Sequence, residues 1–302
     1  MSATRSRFRP DRQLTVRMLV TLFLLGLLYV AFMAALVVLL KSWILVVVVA
    51  AGLLAAQYWY SDRIALFAMR AHEVDAAEQP HLHGAVDRLC AMADMPRPRL
   101  AVSQSDMPNA FATGRSPDHA VLCVTTGLLR RLEPDELEGV LAHELSHIAH
   151  RDVAVITIAS FLGVLAGLMV RFTVYSQIFR GRRDQNTAAL LAAIMTVSVA
   201  VYTISFLLIR ALSRYRELAA DHAAAVLTAR PSALASALTK VSGDIARIPT
   251  RDLRTAQSFN AFFFAPATGK GASVFNLFST HPSLDRRLAE LAKLTARLGE
   301  GA

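Results

Sequence analysis

Between Arg17 and Lys41 the chain runs 23 residues without a charge, and another 20 follow before Asp62. A helix rises about 1.5 Å per residue, so each run can cross a hydrocarbon core of roughly 30 Å. With only Lys41 between them, the two runs predict a tight helical hairpin over residues 1–61. The basic start RSRFRPDR would also suit a cleaved leader, whose apolar stretch is about 7–15 residues and stops at small residues. This run instead continues through Ala34 and Ala35 into LVVLL, which favours an uncleaved anchor. Arg5, Arg7, Arg9, Arg12 and Arg17 put the N-terminus on the cytoplasmic side, and Arg63 and Arg70 bring the chain back there. Trp43, Tyr58, Trp59 and Tyr60 fall where interfacial aromatic belts are expected.

Two further uncharged runs, 153–170 and 185–209, suggest a second hairpin. If both span, the loop between them, with Arg171, Arg180, Arg182 and Arg183, lies on the far side, against the positive-inside trend. The alternative is a helix pair partly buried in protein or dipping into the bilayer. Hydrophobic residues make up 54% of the chain, high for a soluble protein. The net charge of +9 comes mostly from arginines beside apolar runs. That placement fits anionic lipid headgroups, and no interleaved basic and aromatic module of the nucleic-acid kind is present. Cys90 and Cys123 have neither metal-type nor CxxC spacing and read as reduced and inert. The expected class is a mainly α integral membrane protein with four apolar helices and a small β-sheet.

Residues 62–152 read as soluble. A helical stretch near 62–92 leads to the proline-marked MPRPR, then to β-like RLAVSQ and HAVLCVTTG with PNAFATGRSPD between them. A helix opens at Glu133-Pro134-Asp135-Glu136, with proline and acids in its first turn. Residues 210–302 are mostly helical around an irregular Phe- and Gly-containing stretch at 258–279, which suits a mobile lid, an interfacial anchor or an ordinary packed loop.

The ten residues LAHELSHIAH (141–150) carry the chemistry. On a helix, Leu137, Leu141, Leu145 and Ile148 form an apolar stripe, while His143 and His147 stack one turn apart on another face. Two imidazoles at that spacing can grip one ion, and zinc takes neutral imidazole while keeping a position open for water. Glu144 points to the flank, where a carboxylate can accept a proton from that water and return it to a leaving amine. A surface helix with accidental histidines is the bland alternative. Chance alone produces HExxH in such a chain with odds of roughly one in a hundred. His150 lies off the histidine face and suits a surface or supporting role.

A catalytic zinc needs a third protein ligand. The position six beyond His147 is Val153, which excludes the metzincin pattern. In ALSRYRELAADHAAAVL, Glu217 and Asp221 lie one turn apart. Glu217 can coordinate while Asp221 holds a ligand histidine by its ring N–H. Equally, the two can be an exposed acidic pair balanced by Arg214 and Arg216. His222 points elsewhere.

Four pieces in order, PNAFATG (108–114), HELSH (143–147), SRYRELAAD (213–221) and THPSLDRRL (280–288), resemble the HtpX-like membrane zinc metalloproteases, relatives of the CAAX prenyl endopeptidases. The apolar hairpin between HELSH and the third-ligand helix also resembles that family. The resemblance implies a gluzincin-like protease domain holding one Zn2+ per chain on His143, His147 and Glu217. It further implies Glu144 as general base, Asp221 as the partner of a ligand histidine with Arg287 near the acidic pair, and His281 as stabiliser of the oxyanion. For His281 a plain loop or helix-start role stays open, because Ser283 departs from the usual HPP. Asn109, Ala110 and Phe111 would lie on an edge strand holding the substrate backbone, a physically sensible use of an exposed edge.

These readings divide the chain into an anchoring hairpin (1–61), a protease part with the HExxH helix (62–152), a second hydrophobic hairpin (153–209) and a helical part with the third ligand (210–302). The expected activity is zinc-dependent endopeptidase action on protein substrates, membrane proteins foremost, at the cytoplasmic face of the inner membrane. The resemblance implies a part in stress response and protein quality control. The rivals are a non-catalytic zinc-binding membrane scaffold or regulator, and a prenyl-protein-type endopeptidase. A transporter would want ionisable residues inside its spans, and the four runs carry none.

Overall fold

The computed structural model describes residues 12–40, 43–151, 165–171, 185–245 and 282–299. The basic loop at 172–184 and the Phe-rich stretch at 258–279 fall outside them. The described chain is mainly helical with one small sheet. It divides into two compact units.

The first unit takes in 61–153 and 213–302 together with the N-terminal residues to Leu14. Its sheet has four strands: β1 (Ala71–Glu73), β2 (Arg99–Ser103), β3 (Ala110–Thr113) and β4 (Val121–Thr125). They lie in the order β1-β2-β4-β3, so β3 forms one edge. β2 runs parallel to β4, while β1 and β3 pair antiparallel with their neighbours. Strand side chains alternate between the two faces. Leu100, Val102, Ala110, Leu122 and Val124 join the main core with helices α4 (Pro80–Ala93) and α6 (Pro134–Ala149). Ala101, Phe111, Val121 and Cys123 form a second cluster with Ala65 of helix α3 (Ser61–Ala68) on the other face. Burial pushes the Cys123 thiol up to about 12 and Cys90 up to about 11, so both cysteines are inert hydrophobes. Between β4 and α6 lies the short helix α5 (Thr126–Arg131).

Helix α6 starts where its sequence says it should. Glu133 is the N-cap, Pro134 takes the first turn, and the Glu133 and Glu136 side chains complete a capping box. It departs from expectation in its surroundings. An amphipathic stripe predicts one buried face, yet every residue from Gly139 to Ile148 is buried. The helix is sandwiched between the sheet, α4 and a later helix, α8 (Pro231–Ile245). Gly139 allows that approach, since a Cβ there would lie 3.3 Å from the Leu234 backbone. The buried Glu136 carboxylate accepts hydrogen bonds from Ser236 Oγ (2.6 Å), Lys240 Nζ (2.8 Å) and the Glu133 amide (2.9 Å). Helix α9 (Leu284–Gly299) packs against α8 and adds Leu291 and Leu294 to the core.

The second unit takes in 15–60 and 154–212. It contains most of α1 (Arg12–Leu40), then α2 (Trp43–Trp59), a helical segment at 165–171, and the first part of α7 (Gln185–Thr228). A small cluster of Leu25, Phe32, Leu36, Ala50, Leu165, Ala166 and Val201 holds it together. Much of its remaining apolar surface is exposed, with Phe23, Val30, Val38 and Val48 among the most open. Of the four apolar runs, the first and fourth form helices long and apolar enough to cross a membrane, among the described residues. The second forms a helix of 17 residues. The third is described only at 165–171. The fourth run and the ELAAD segment, read separately in the sequence, form one unbroken helix of 44 residues. No glycine or proline interrupts it, so nothing stops propagation until Ala229, which takes a left-handed φ of 53°.

Candidate active site

Helical spacing brings His143 and His147 together on α6, with Nε2 atoms 3.2 Å apart and rings edge to face. Glu217 reaches them from α7. Its Oε2 lies 3.5 Å from His143 Nε2, and its Oε1 lies 3.5 Å from His147 Nε2. All three side chains are buried. A tetrahedral zinc with bonds of about 2.0–2.1 Å needs ligand atoms roughly 3.3–3.4 Å apart. The imidazole nitrogens match that spacing and each Glu217 oxygen lies close to a different one of them, so the residues fit the ion in donor type and in proximity.

The acidic pair on α7 is not the exposed one that spacing alone left open. Glu217 is 4% exposed and Asp221 is 1% exposed. Asp221 Oδ1 lies 2.9 Å from His143 Nδ1. A carboxylate only accepts, so this contact suits a proton on Nδ1, with Nε2 facing Glu217 and His147. Asp221 is itself clamped by Arg287, whose Nε donates to Oδ2 (2.7 Å) and whose Nη2 donates to Oδ1 (2.6 Å). Arg287 is 1% exposed, so this is a fully buried bidentate pair. Burial works against a charge on His143, but hydrogen bonds to Asp221 and Glu217 outweigh it and raise its pKa. On the other side, Arg216 Nη2 approaches His147 Nδ1 at 3.4 Å, so the two histidines have outer partners of opposite character.

Glu144 is buried beside the pair, and burial raises its carboxyl above the usual range despite the pull of both histidines. A carboxylate with raised proton affinity is suited to take a proton and give it back. Its Oε2 accepts the Ala112 amide at 3.0 Å, which ties this carboxylate to edge strand β3.

The structure redistributes the residues expected on that edge. Asn109 is buried and bound to β4 through its backbone: its carbonyl accepts the Thr125 amide (2.9 Å), and its amide donates to Thr125 Oγ1 (2.9 Å). In an antiparallel pair the bonded positions alternate, so Phe111 and Thr113 also face β4. Phe111 buries its ring under the sheet. The outward backbone groups therefore belong to Ala110 and Ala112. Ala112 was not singled out in the sequence, because the two-residue period of PNAFATG shows its phase only once the strand's partner is known. His150 sits at the end of α6 with Nδ1 2.8 Å from the Ser146 carbonyl, and His222 is exposed. His281 lies outside the described residues.

Edge strand β3 is bonded through its Ala112 amide to the buried Glu144 carboxylate, beside three buried side chains that could hold a metal ion. That arrangement is of the metallopeptidase class. Residues 76–295 match Peptidase family M48, and the chain belongs to that family. It is 72% identical over 295 residues to the Protease HtpX homolog 1 of Streptomyces coelicolor, covering 98% of this chain and 97% of that protein. It is 50% identical to the Protease HtpX homolog of Moorella thermoacetica, covering 98% and 99%. The Pyrococcus furiosus homolog is 41% identical over 80% of this chain and 83% of its own. Among solved structures, S. mikatae Ste24p shares the fold with a TM-score of 0.53 at 16% identity, covering 93% of this chain and 67% of that one. The chain is a metalloendopeptidase, a hydrolase of peptide bonds, and a membrane protein.

Proposed function

We propose that the chain holds one Zn2+ on His143, His147 and Glu217 and cuts membrane or misfolded proteins at the cytoplasmic face of the inner membrane, as part of protein quality control. The observation that carries the reading is the buried cluster of two imidazole nitrogens 3.2 Å apart, each with a Glu217 oxygen 3.5 Å away, and Glu144 beside it and bound to the sheet edge. When bound, zinc polarises a carbonyl and lowers the pKa of a coordinated water toward about 7. The rest is done by the chain. The backbone of Ala110 and the Ala112 carbonyl pair with an extended substrate, fixing the scissile bond in register. Glu144 keeps one oxygen on the Ala112 amide and uses the other to take the water's proton, which it then gives to the leaving amine. Asp221 and Arg287 keep the His143 ring in one orientation.

In this reading residues 1–61 and 153–209 are membrane hairpins, and 62–152 and 210–302 form the protease. The apolar sequence ends at Ile209 and Glu217 follows on the same helix, which supports a site near the bilayer surface. A cysteine placed in residues 176–186 tests the topology; labelling it from the cytoplasmic side would refute four spans.

The test of function is wild type against Glu144→Gln, purified in detergent. Both are expected to bind zinc equally, while the variant loses about 10²–10⁴-fold in cleavage of an unfolded membrane-protein substrate. Equal cleavage by the two would remove Glu144 as the base. Zinc without cleavage by either would favour the scaffold. Cleavage of prenylated C-terminal peptides alone would favour the prenyl-protein endopeptidase.

A further inference from the structure

Helix α3 has two opposite apolar faces, and the sheet occupies only one of them. Ala65 is fully buried against Ala101, Phe111, Val121 and Cys123, with Leu66 and Met69 packed around it. On the other side Phe67 is 87% exposed and Ile64 is 55% exposed. A spacing of three places Ile64 and Phe67 on one stripe of the helix. Single exposed apolar residues are common, but two aligned on one helix face mark a contact surface. Exposed Arg63 and Arg70 flank the stripe, and no acidic residue sits on it. Asp62, the acid nearest in sequence, is engaged by Arg99 at 2.6 Å.

We propose that the Ile64–Phe67 face of α3 lies in the interfacial layer of an anionic bilayer, with Arg63 and Arg70 among the headgroups. Two observations select lipid over a protein partner. The helix follows directly on the apolar α2, which ends at Trp59. The flanking charge is purely basic, the complement of an anionic headgroup plane. The consequence reaches the sheet edge. Phe111 of β3 packs in the same cluster as Ala65, so the face meeting lipid and the strand proposed to hold substrate belong to one packed layer. Through α3 the bilayer surface would set the height and tilt of that strand, and so favour substrate segments emerging from the membrane.

The test uses full-length chain in phosphatidylcholine–phosphatidylglycerol vesicles, with an environment-sensitive fluorophore on Phe67→Cys. Ala91→Cys on the exposed side of α4 is the control. Native Cys90 and Cys123 are buried and stay unlabelled. The probe at 67 is expected to emit at shorter wavelength than the control. Lipid carrying a shallow doxyl group should quench it at least about twofold more strongly. Adding Arg63→Glu should reduce that quenching. Quenching by aqueous iodide equal to the control would overturn the proposal. So would a blue-shifted probe that lipid quenchers cannot reach, which would mean that another protein segment or a second copy covers the face. Neither outcome depends on proteolysis.

Discussion

The buried Asp221–Arg287 pair allows its structural and functional effects to be separated. In Arg287→Met, the Asp221 carboxylate keeps its place inside the protein but loses two charged hydrogen bonds of 2.6 and 2.7 Å. Both side chains are 1% exposed, so water does not replace the lost partner. Breaking a buried pair by removing one member costs about 3–5 kcal/mol. The carboxylate will then rotate or take up a proton, and its 2.9 Å contact with His143 Nδ1 fails. Loss of such an orienting partner weakens metal binding about 10–100-fold. The double variant Arg287→Met/Asp221→Leu removes both charges and fills the space with apolar atoms. Exchanges of that kind are often neutral or stabilising, so most of the lost stability should return. Metal affinity should stay low, because His143 still lacks its acceptor. Thermal unfolding of chelator-treated protein in detergent reads the first quantity, and zinc affinity by chelator competition reads the second. The reasoning is refuted if the double variant binds zinc as wild type does, or if Arg287→Met costs less than about 1 kcal/mol.

Replacing Glu217 with Ala should lower retained zinc while leaving the apo fold intact, which metal analysis and circular dichroism check together. Burial pushes the Glu136 carboxyl up, but hydrogen bonds from Lys240, Ser236 and the Glu133 amide hold its pKa below the ordinary glutamate value. A depressed pKa gives stability that is present above the unfolded value of about 4.3 and lost as pH falls through the folded one. Glu136→Gln should therefore flatten the acid limb of the stability curve relative to wild type. At Gly127 a Cβ would lie 2.2 Å from the Asp106 carbonyl oxygen, in a loop that also accepts the Gly127 amide at Ser105 (2.8 Å). Gly127→Ala should cost about 1–3 kcal/mol in denaturant unfolding.

Much of this was legible because it is local. The apolar runs, the start of α6 at Glu133, the shared face of His143 and His147, and the segments 99–103 and 121–125 follow from spacing within a few turns or residues. Spacing already offered Glu217 and Asp221 as ligand and histidine partner beside an exposed-pair alternative, and the resemblance chose between the two and added Arg287. Other features stayed illegible because they depend on partners far along the chain. Spacing could not distinguish a buried acidic pair beside the histidines from an exposed one; burial against His143 and Arg287 decides it. The phase of PNAFATG was hidden until β3 met β4, which turned Ala112 rather than Phe111 toward Glu144. The stripe on α6 predicted one buried face, whereas neighbours 69 to 104 residues away bury others too. By itself the sequence determined which residues can share a helical turn or a strand face, since backbone geometry imposes those periods. Which of those faces meet, and therefore which carboxylate reaches the histidines and which amide reaches the base, only the packing of distant segments could decide.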